Sequence, residues 1–572
     1  MAESQHNHNS VAGKRRDFLK TGAAALATAT ILPELVASQT ADSRRPSTYP
    51  FDLEEVSVQQ MQSGLMSGTY TSKQLVELYS SRVEAVDRRG PALNSILEMN
   101  PEAIAIAEQM DAERKAKGAR GPLHGIPVVI KDNIATADKM QTTAGSLALV
   151  GSVPPSDSMV AAKLRQAGAV IFAKTNLTEW ANIRSSHATS GWSARGGLTV
   201  NPYVLDRNPS GSSSGTGVAV TASLCTVGVG TETDGSIVSP ANNCGLVGIK
   251  PTVGLVSRFG IVPISHTQDT AGPMTRTVAD AAVLLTVLAG VDSRDQVTAT
   301  VGQNIADYTK FLDPNGLKGA RIGVVRKYAG FSTDVDRLFD EAIAAMKHAG
   351  AEVLDPVEIP TLDKFGDAEG QVLLFEFKDN LNRYLAWLAG NTKVHTLREV
   401  IEFNDSHREQ EMPYFGQDVM VQSEAKGPLT SPKYLEALKQ CRKQSRVEGI
   451  DAVMNKFKLD ALLAPTGAPA WTTDLVNGDH FVAGSSTLAA VAGYPNITVP
   501  MGFVFGLPVG ISLFGRAWSE ARLIQLAYAY EQLTKARRPP TFLATANLTP
   551  LQEHTVSQSN KRRPSPAEAL TT

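Results

Sequence analysis

Serine hydroxyls in two loops, together with one lysine upstream, are the residues of this chain whose types and spacing could perform chemistry. The hydroxyls fall in two Gly/Ser-rich loops that flank the apolar segment 218–229: Ser212, Ser213 and Ser214 in the first loop, and Thr233-Asp234-Gly235-Ser236 in the second. Glycine lets backbone approach a ligand closely, so such loops can direct hydroxyl and N–H groups into a cleft. Two ordinary turns around a buried helix would show the same composition. The loops alone leave both interpretations open.

The lysine, Lys131, ends a short β-branched run. If residues 126–130 form a buried strand, the strand delivers Lys131 to the carboxyl edge of a sheet, where α/β folds place their sites. The alternative is an exposed lysine that pairs with Asp132, which is the common situation for a lysine.

Hydrolysis of an amide needs a nucleophile, a base, donors for the oxyanion and an acid for the leaving nitrogen. Neither serine loop contains a histidine, so the sequence makes no local case for a Ser-His-Asp triad. A buried lysine can act as the base because burial disfavours its charged form. Lys131, the two serine loops and the N–H groups before Ser236 would together meet these needs.

Other motifs are weaker. The segment 211–215 matches G-x-S-x-G, but Arg207-Asn208-Pro209-Ser210 precedes it, which is not the buried strand that a nucleophile elbow requires. Gly228-x-Gly230 lacks the spacing of a dinucleotide loop, and the sequence has no G-K-[ST] phosphate loop. A nucleophilic cysteine at Cys244 is a further alternative.

Composition excludes several classes of protein. A chain of 572 residues with 42% hydrophobic residues can bury a large core, as one large α/β domain or several domains. A formal net charge of −2 gives no case for nucleic acid or an anionic membrane as partner. Three widely spaced cysteines and the absence of H-E-x-x-H predict neither a disulfide framework nor a metal site. We expect no metal and no cofactor.

The elements that must position these residues follow an α/β order. A helix is predicted from Thr71, with Gln74 completing a capping box. Helix 157–168 precedes strand 169–174, and helix and strand alternate again up to 246–250, which favours an α/β sheet.

Further elements are predicted in the second half of the chain. They are a strand at 318–326, a helix at 335–349, strands at 461–465 and within 496–515, and a helix at 520–533. Between them, at about 370–456, we predict an inserted helical layer that shapes the substrate cleft, whose walls we place within residues 290–480.

Both ends of the chain are predicted to lie outside the fold. The N-terminus has Lys14-Arg15-Arg16-Asp17-Phe18-Leu19-Lys20 followed by the mildly apolar run 22–35, which is typical of a twin-arginine export signal. A membrane anchor is the alternative, but the run falls short of about 20 apolar residues. We predict an export signal at 1–38, a periplasmic or secreted protein, no stable membrane insertion and a disordered tail at 546–572.

Three stretches resemble the amidase signature family: GIPVVIKDN, NPSGSSSGTGVAV and GTETDGSIVSPANNCGLVGIKPT. Ser212 and Ser236 are 24 residues apart, which is the family's spacing between its two catalytic serines. The resemblance extends over about residues 51–540. It implies one domain, 39–545, with a central mixed β-sheet covered by helices on both faces and an added helical layer.

The resemblance also implies roles for the site residues. Ser236 would be the nucleophile, Ser212 would follow a cis peptide bond and bridge Ser236 to Lys131, and Lys131 would be the neutral base. The oxyanion hole would consist of the N–H groups of four consecutive residues, Thr233, Asp234, Gly235 and Ser236. We assign Ser213 to substrate binding.

This sequence departs from the commonest family pattern in its two loops. Asp234 replaces a frequent glycine, and we expect it to tolerate the left-handed backbone that such a glycine adopts. Ser214 and Thr216 also differ from the usual residues. The departures and the segment EMPYFGQDV (411–419) are similar to bacterial peptide amidases, which remove the C-terminal amide of peptides.

The expected substrate is therefore a peptide amide or another small amide. Aryl, alkyl or fatty-acyl amides are alternatives within the same chemistry. An amidotransferase-like subunit or a non-catalytic binding protein is the alternative from a different class. The oligomeric state is not indicated.

Overall fold

The computed structural model describes residues 49–548. The predicted export signal, and all but three residues of the predicted tail, lie outside this range. The described strands are β1 (Ile96–Met99), β2 (Pro127–Lys131), β3 (Val170–Thr175), β4 (Trp192–Ser193), β5 (Gly197–Leu198), β6 (Val227–Glu232), β7 (Val247–Lys250), β8 (Thr270–Thr275), β9 (Arg321–Val324), β10 (Glu352–Leu354), β11 (Ala461–Pro465), β12 (Asn496–Val504) and β13 (Leu507–Phe514).

The described α-helices are α1 (Val58–Ser67), α2 (Ser72–Arg82), α3 (Ala103–Lys117), α4 (Met159–Gln166), α5 (Ser214–Thr221), α6 (Val238–Asn243), α7 (Val278–Leu288), α8 (Thr333–His348), α9 (Gly366–Trp387), α10 (Leu397–Ser406), α11 (Arg408–Glu411), α12 (Asp418–Glu424), α13 (Pro432–Arg442), α14 (Asp451–Phe457), α15 (Thr487–Ala492) and α16 (Glu520–Thr534). The capping box predicted for α2 is present: Thr71 and Gln74 each accept from the other's backbone N–H. None of the helices in this part of the chain is long and apolar enough to cross a membrane.

Eleven of these strands form one mixed sheet in the order β1-β3-β2-β6-β8-β7-β12-β13-β11-β9-β10. Strand β2, which ends at Lys131, pairs in parallel with both β3 and β6. Further along, β12 and β13 form an antiparallel hairpin that joins β7 to β11. Because the carboxyl ends of parallel strands meet at one edge, β2 and β6 deliver the residues that end them to the same place.

Helices cover both faces of the sheet, because successive residues of a strand point to opposite sides. In β2, Val128 and Ile130 pack into a core shared with α4, α7, α8 and α16. Val129, between them, packs into the opposite core with α1, α2, α3 and α5. The α/β fold class with a central mixed sheet is confirmed.

The predicted helical layer lies within α9–α14, which run from 366 to 457 between β10 and β11. Helix α9 packs Phe377, Leu381 and Tyr384 against Leu149 and Trp180 of the first half of the chain. The layer is thereby joined to the segments that surround the serine loops.

Candidate active site

Lys131, the last residue of β2, is fully buried at the carboxyl edge of the sheet. Its Nζ donates to Ser212 Oγ at 2.7 Å, to Thr231 Oγ1 at 2.9 Å and to Thr231 O at 3.3 Å. Thr231 lies in β6, so the parallel pairing of β2 and β6 creates this contact. The strand therefore places the ammonium group directly beneath the first serine loop.

Burial lowers the pKa of Lys131 to about 7, although the carboxylates of Asp269 and Glu232 act in the opposite direction. Desolvation penalises the ammonium more than the neutral amine, and this cost outweighs the two negative charges. A lysine in this state is available as a general base near neutral pH.

Lys174 and Lys250 are two further buried lysines at strand ends in the described chain. Burial lowers the pKa of each to about 8. Lys174 Nζ donates to Ile134 O and Thr142 Oγ1, and Lys250 Nζ donates to Ala489 O. Neither contacts a serine loop, so geometry distinguishes Lys131 from both.

Ser212 lies in the turn before α5, and the Gly211–Ser212 peptide bond is cis. Its side chain is fully buried, and its carbonyl accepts the N–H of Thr178 at 3.1 Å. A Cβ at Gly211 would come within 2.2 Å of Thr178 Oγ1, so this position requires glycine. The surrounding chain therefore holds Ser212 closely over Lys131.

Ser236 lies between β6 and α6 and is 8% exposed. Its carbonyl accepts the N–H of Ser213 at 3.2 Å, which joins the two serine loops. Within residues 49–548, its Oγ has no hydrogen-bond partner. The Lys131–Ser212 contact is thus formed, whereas Ser236 Oγ is left free to meet a ligand.

The backbone amides from Thr233 to Ser236 are also unoccupied. No acceptor in the described part of the chain receives a hydrogen bond from any of these four N–H groups. The next two amides, of Ile237 and Val238, donate to Glu232 Oε2 at 2.8 and 3.0 Å. Four free donors next to a serine hydroxyl are suited to a developing oxyanion.

A cleft of about 380 Å³ opens above this arrangement and includes Ser236, Gly235 and Gly211 in its lining. Its walls come from four segments: 182–190, 210–211, 234–239 and 466–487. Lys131 and Ser212 lie beneath this surface. A ligand in the cleft would therefore meet Ser236 first, with Ser212 and Lys131 behind it.

A family model described as Amidase matches residues 74–524, which is more than half of the chain. The chain belongs to the amidase signature family. It is a hydrolase of amide C–N bonds.

Three relatives of this amidase show the range of the family. A probable amidase of Arabidopsis thaliana is 43% identical over 504 residues, which cover 86% of this chain and 93% of the relative. The solved peptide amidase of Stenotrophomonas maltophilia is 49% identical, with a TM-score of 0.82 over 86% of this chain and all of that one. One glutamyl-tRNA(Gln) amidotransferase subunit, from Acinetobacter baylyi, is 32% identical over 505 residues, which cover 87% of this chain and 99% of the relative.

Ser213, which we assign to substrate binding, lies beneath the cleft in this structure. Ser213 is fully buried and does not line the cleft. Its Oγ donates to Thr231 O at 3.0 Å and accepts from Thr231 N at 3.2 Å. Ser213 therefore joins the first serine loop to β6 in this amidase.

The expected left-handed backbone at Asp234 is corrected, since the positive φ lies at Gly235, where it is 81°. The carboxylate of Asp234 instead accepts from Ser486 Oγ at 2.5 Å and from Thr487 Oγ1 at 2.7 Å. The aspartate connects the loop to the start of α15, which a glycine could not do.

The helical layer does not line the cleft, contrary to its predicted role, because none of the lining residues falls between 290 and 457. The layer instead supports the 182–190 wall from behind. Asp418, in α12, accepts from the hydroxyls of Ser185 and Ser186 at 2.6 and 2.7 Å. Its influence on the cleft is therefore indirect.

Sequence reasoning missed three contributors to the site: Thr231, Asp269 and Asp479. Thr231 contacts Lys131 and Ser213, and Asp269 accepts from Thr233 Oγ1 at 2.6 Å. Asp479 lies in the lining of the cleft, where it accepts from Ser190. Thr231 lies inside one of the three stretches that resemble the family, so its motif was a usable signal, whereas none of those stretches contains Asp269 or Asp479.

Cys244 has neither the exposure nor the electrostatics of a nucleophile. Its side chain is fully buried, it does not line the cleft, and burial raises the pKa of its thiol. A reactive cysteine needs the opposite shift, because the thiolate is the nucleophile.

Proposed function

We propose that this protein is a serine amidase in which Ser236 is acylated, Ser212 relays protons and Lys131 is the base. The observation that carries the proposal is the fully buried Lys131, whose Nζ lies 2.7 Å from Ser212 Oγ directly behind a cleft that contains Ser236. A neutral lysine can accept the proton of Ser212, which in turn accepts the proton of Ser236. Ser236 Oγ then attacks the carbonyl carbon of the amide.

The remaining steps release the leaving group and restore the free serine and the neutral lysine. Negative charge develops on the carbonyl oxygen, and the free N–H groups from Thr233 to Ser236 stabilise it. The C–N bond then breaks, and the proton held by Lys131 passes through Ser212 to the leaving nitrogen. A water molecule hydrolyses the acyl-enzyme by the same route, which releases the carboxylic acid and restores Ser236.

We propose the C-terminal amide of peptides as the substrate, with ammonia as the leaving group. The similarity to the solved peptide amidase of Stenotrophomonas maltophilia, at 49% identity, supports this choice over aryl, alkyl or fatty-acyl amides. The cleft supports it as well, because its lining is rich in hydroxyl-bearing residues that can hydrogen-bond a peptide backbone.

An amidotransferase-like subunit is the second candidate, favoured by the 32% identity to the Acinetobacter baylyi protein. We place it second because the predicted twin-arginine signal at 1–38 is unsuited to an enzyme of tRNA in the cytoplasm. A reporter fused to residues 1–45 and carried to the periplasm in an export assay supports this order; a reporter retained in the cytoplasm favours the amidotransferase role.

The test of the proposed chemistry is ammonia release from amidated peptides, acyl-amino-acid amides, aryl amides and long-chain amides. We expect release from peptide amides, and a loss of kcat of at least about 10³-fold in both Ser236→Ala and Lys131→Ala, because the chemical step needs both groups. Ser81→Ala, on the exposed surface of α2, is the matched control and should retain activity. Normal turnover in either site variant contradicts the mechanism, and a preference for aryl or long-chain amides contradicts the substrate.

A further inference from the structure

The cleft has an unbalanced charge. Its described lining includes two carboxylates, Asp234 and Asp479, but neither lysine nor arginine. The buried lysine of the site is behind Ser212, and its lowered pKa makes it a weak counter-charge. A negatively charged group bound in this cleft would meet two carboxyl groups, and no lysine or arginine of the described lining would compensate it.

We propose that Asp479 makes the cleft selective for amides whose acyl part carries an ammonium or guanidinium group, and that amides with a carboxylate in the same position are rejected. This inference rests on the proposed function and specifies its substrate class. Cationic peptide amides are the favoured substrates, neutral ones are intermediate and acidic ones are the poorest.

Asp479 is held in place before a ligand arrives. Its Oδ1 accepts from Ser190 N at 3.0 Å and from Trp471 Nε1 at 3.2 Å, and its Oδ2 accepts from Ser190 Oγ at 2.5 Å. Asn208 Nδ2 approaches Oδ1 at 3.5 Å. A carboxylate oxygen can accept more than one hydrogen bond, so Oδ2 has capacity for an N–H donor of a substrate.

An aromatic ring on the same wall favours the same ligand. Phe481 lines the cleft, its side chain is 55% exposed, and its ring packs edge-on against Trp471 at 5.8 Å. The face of an aromatic ring attracts a cation. Asp479 and Phe481 are two residues apart in the lining of the cleft, so the ring is a second candidate contact for the proposed cation.

The hydroxyl groups and the histidine that also line the cleft do not neutralise its two carboxyl groups. Ser486 and Thr487 donate to Asp234, which satisfies that carboxylate without neutralising it. His187 also lines the cleft, and its Nδ1 contacts Ser186 Oγ at 3.0 Å rather than either carboxylate.

The test uses the full-length enzyme and two sets of acetylated dipeptide amides, Ac-Xaa-Ala-NH₂ and Ac-Ala-Xaa-NH₂, in which Xaa is lysine, norleucine or glutamate. In the set whose Xaa side chain reaches Asp479, we expect kcat/KM for the lysine peptide to exceed that for the norleucine peptide by about fivefold or more, and the glutamate peptide to have the lowest value. One charge pair in a partly desolvated cleft has an effect of this size. Added salt should reduce the preference.

Asp479→Asn is the informative variant because it removes the charge and can keep the contacts. The asparagine Oδ1 can accept from Ser190 N and Trp471 Nε1, while its amide donates to Ser190 Oγ, whose hydroxyl can rotate. We expect the ratio of lysine to norleucine to fall towards one. Asp405→Asn is the control, since Asp405 is exposed, pairs with Arg408 on the surface and does not line the cleft, and it should retain the ratio.

The outcomes are distinguishable. A purely structural role for Asp479 lowers kcat/KM for all three side chains equally and leaves the ratio unchanged, which overturns the inference. Equal rates for lysine and glutamate in the unmodified enzyme overturn it as well, while leaving the amidase function intact. Absence of ammonia from every peptide, with release from aryl or long-chain amides, overturns the peptide assignment and this inference with it.

Discussion

At the scale of single residues, the proposed base is a lysine whose charge is suppressed by its surroundings. Lys131, Lys174 and Lys250 are all buried at strand ends, and burial lowers the pKa of each. Of these three, Lys131 is the one that contacts a serine of the two loops. A lowered pKa is thus common to three buried lysines of the described chain, and the contact with Ser212 is what distinguishes Lys131 as the proposed base.

The pH dependence of kcat/KM tests the role of Lys131. Its pKa is lowered to about 7, so the lysine is neutral above this pH and protonated below it. A base must be neutral, so we expect kcat/KM to fall as pH decreases below about 7 and to level off above it. A profile flat between about pH 5 and 9, by initial rates of ammonia release, contradicts this role.

Asp269→Asn provides the matched perturbation of that profile. The charge of Asp269 is the first of the two that raise the pKa of Lys131 against the effect of burial. Removing it should move the inflection to lower pH. The variant can keep the contacts of the aspartate: asparagine Oδ1 can accept from the amides of Ile264 and Ser265, and its side-chain amide can contact Thr233 Oγ1. The change in pH profile therefore reports the lost charge. A shift of the inflection to higher pH would count against the electrostatic explanation.

At the scale of elements, the loop that presents the four free amides is anchored by three carboxylates from different places. Glu232 accepts the two amides that follow the loop, Asp269 accepts from Thr233 Oγ1, and Asp234 accepts from the hydroxyls of Ser486 and Thr487. Backbone donors stabilise an oxyanion well only when they are already oriented. The anchors supply that orientation.

Asp234→Gly, which introduces the residue common in the family, tests the contact between the loop and α15. We expect kcat to fall by about 10- to 100-fold with a smaller change in KM, because misplaced amides weaken transition-state binding more than substrate binding. Asp234→Asn should retain more activity, since its amide side chain can still bond both hydroxyls. Steady-state kinetics on one peptide amide decide the matter: equal kcat in the glycine variant and the unmodified enzyme shows that the contact does not position the loop.

At the scale of the whole molecule, a buried ionic cluster joins the helical layer to the wall of the cleft. Arg184 donates to Glu179 Oε1 at 2.5 Å and to the carbonyl of Glu411, at the end of α11, at 2.5 Å. All three side chains are completely buried, and Phe415 stacks on the guanidinium with its ring centre 4.1 Å away. Burial raises the pKa of Glu179 well above its usual range, and the nearby Glu411 adds to this shift.

Arg184→Met therefore leaves two buried carboxyl groups without their cation. Breaking a buried pair of this kind costs about 3–5 kcal/mol of stability. We expect a clear decrease in Tm by calorimetry. Arg337→Ala, which removes an exposed pair with Glu341 at 2.6 Å, is the control and should change stability by less than about 1 kcal/mol. Equal Tm values for the two variants contradict a joining role for the cluster.

Much of the fold was predictable because its elements carry local signals. The capping box of Thr71 and Gln74, the apolar strand before Lys131 and the strands within 496–515 all appear in the structure. The role of the helical layer was not predictable, since helix periodicity shows that a segment packs but not what it packs against. Asp234 shows the same limit: its type suggested a backbone conformation, whereas its partners are about 250 residues away in the chain.

The sequence by itself determined the family and the fold class, and it named Lys131, Ser212 and Ser236 as candidate site residues, because motif order and strand composition are local properties. Only the tertiary structure decided that Thr231 also contacts Lys131, that Asp234 is tied to the start of α15 and that Asp479 lies in the lining of the cleft. Those relations depend on the parallel pairing of β2 with β6 and on the packing of the 466–487 segment against 182–190. They join segments distant in the chain, and such contacts are set by the packing of the whole sheet, for which no short stretch of sequence carries a signal.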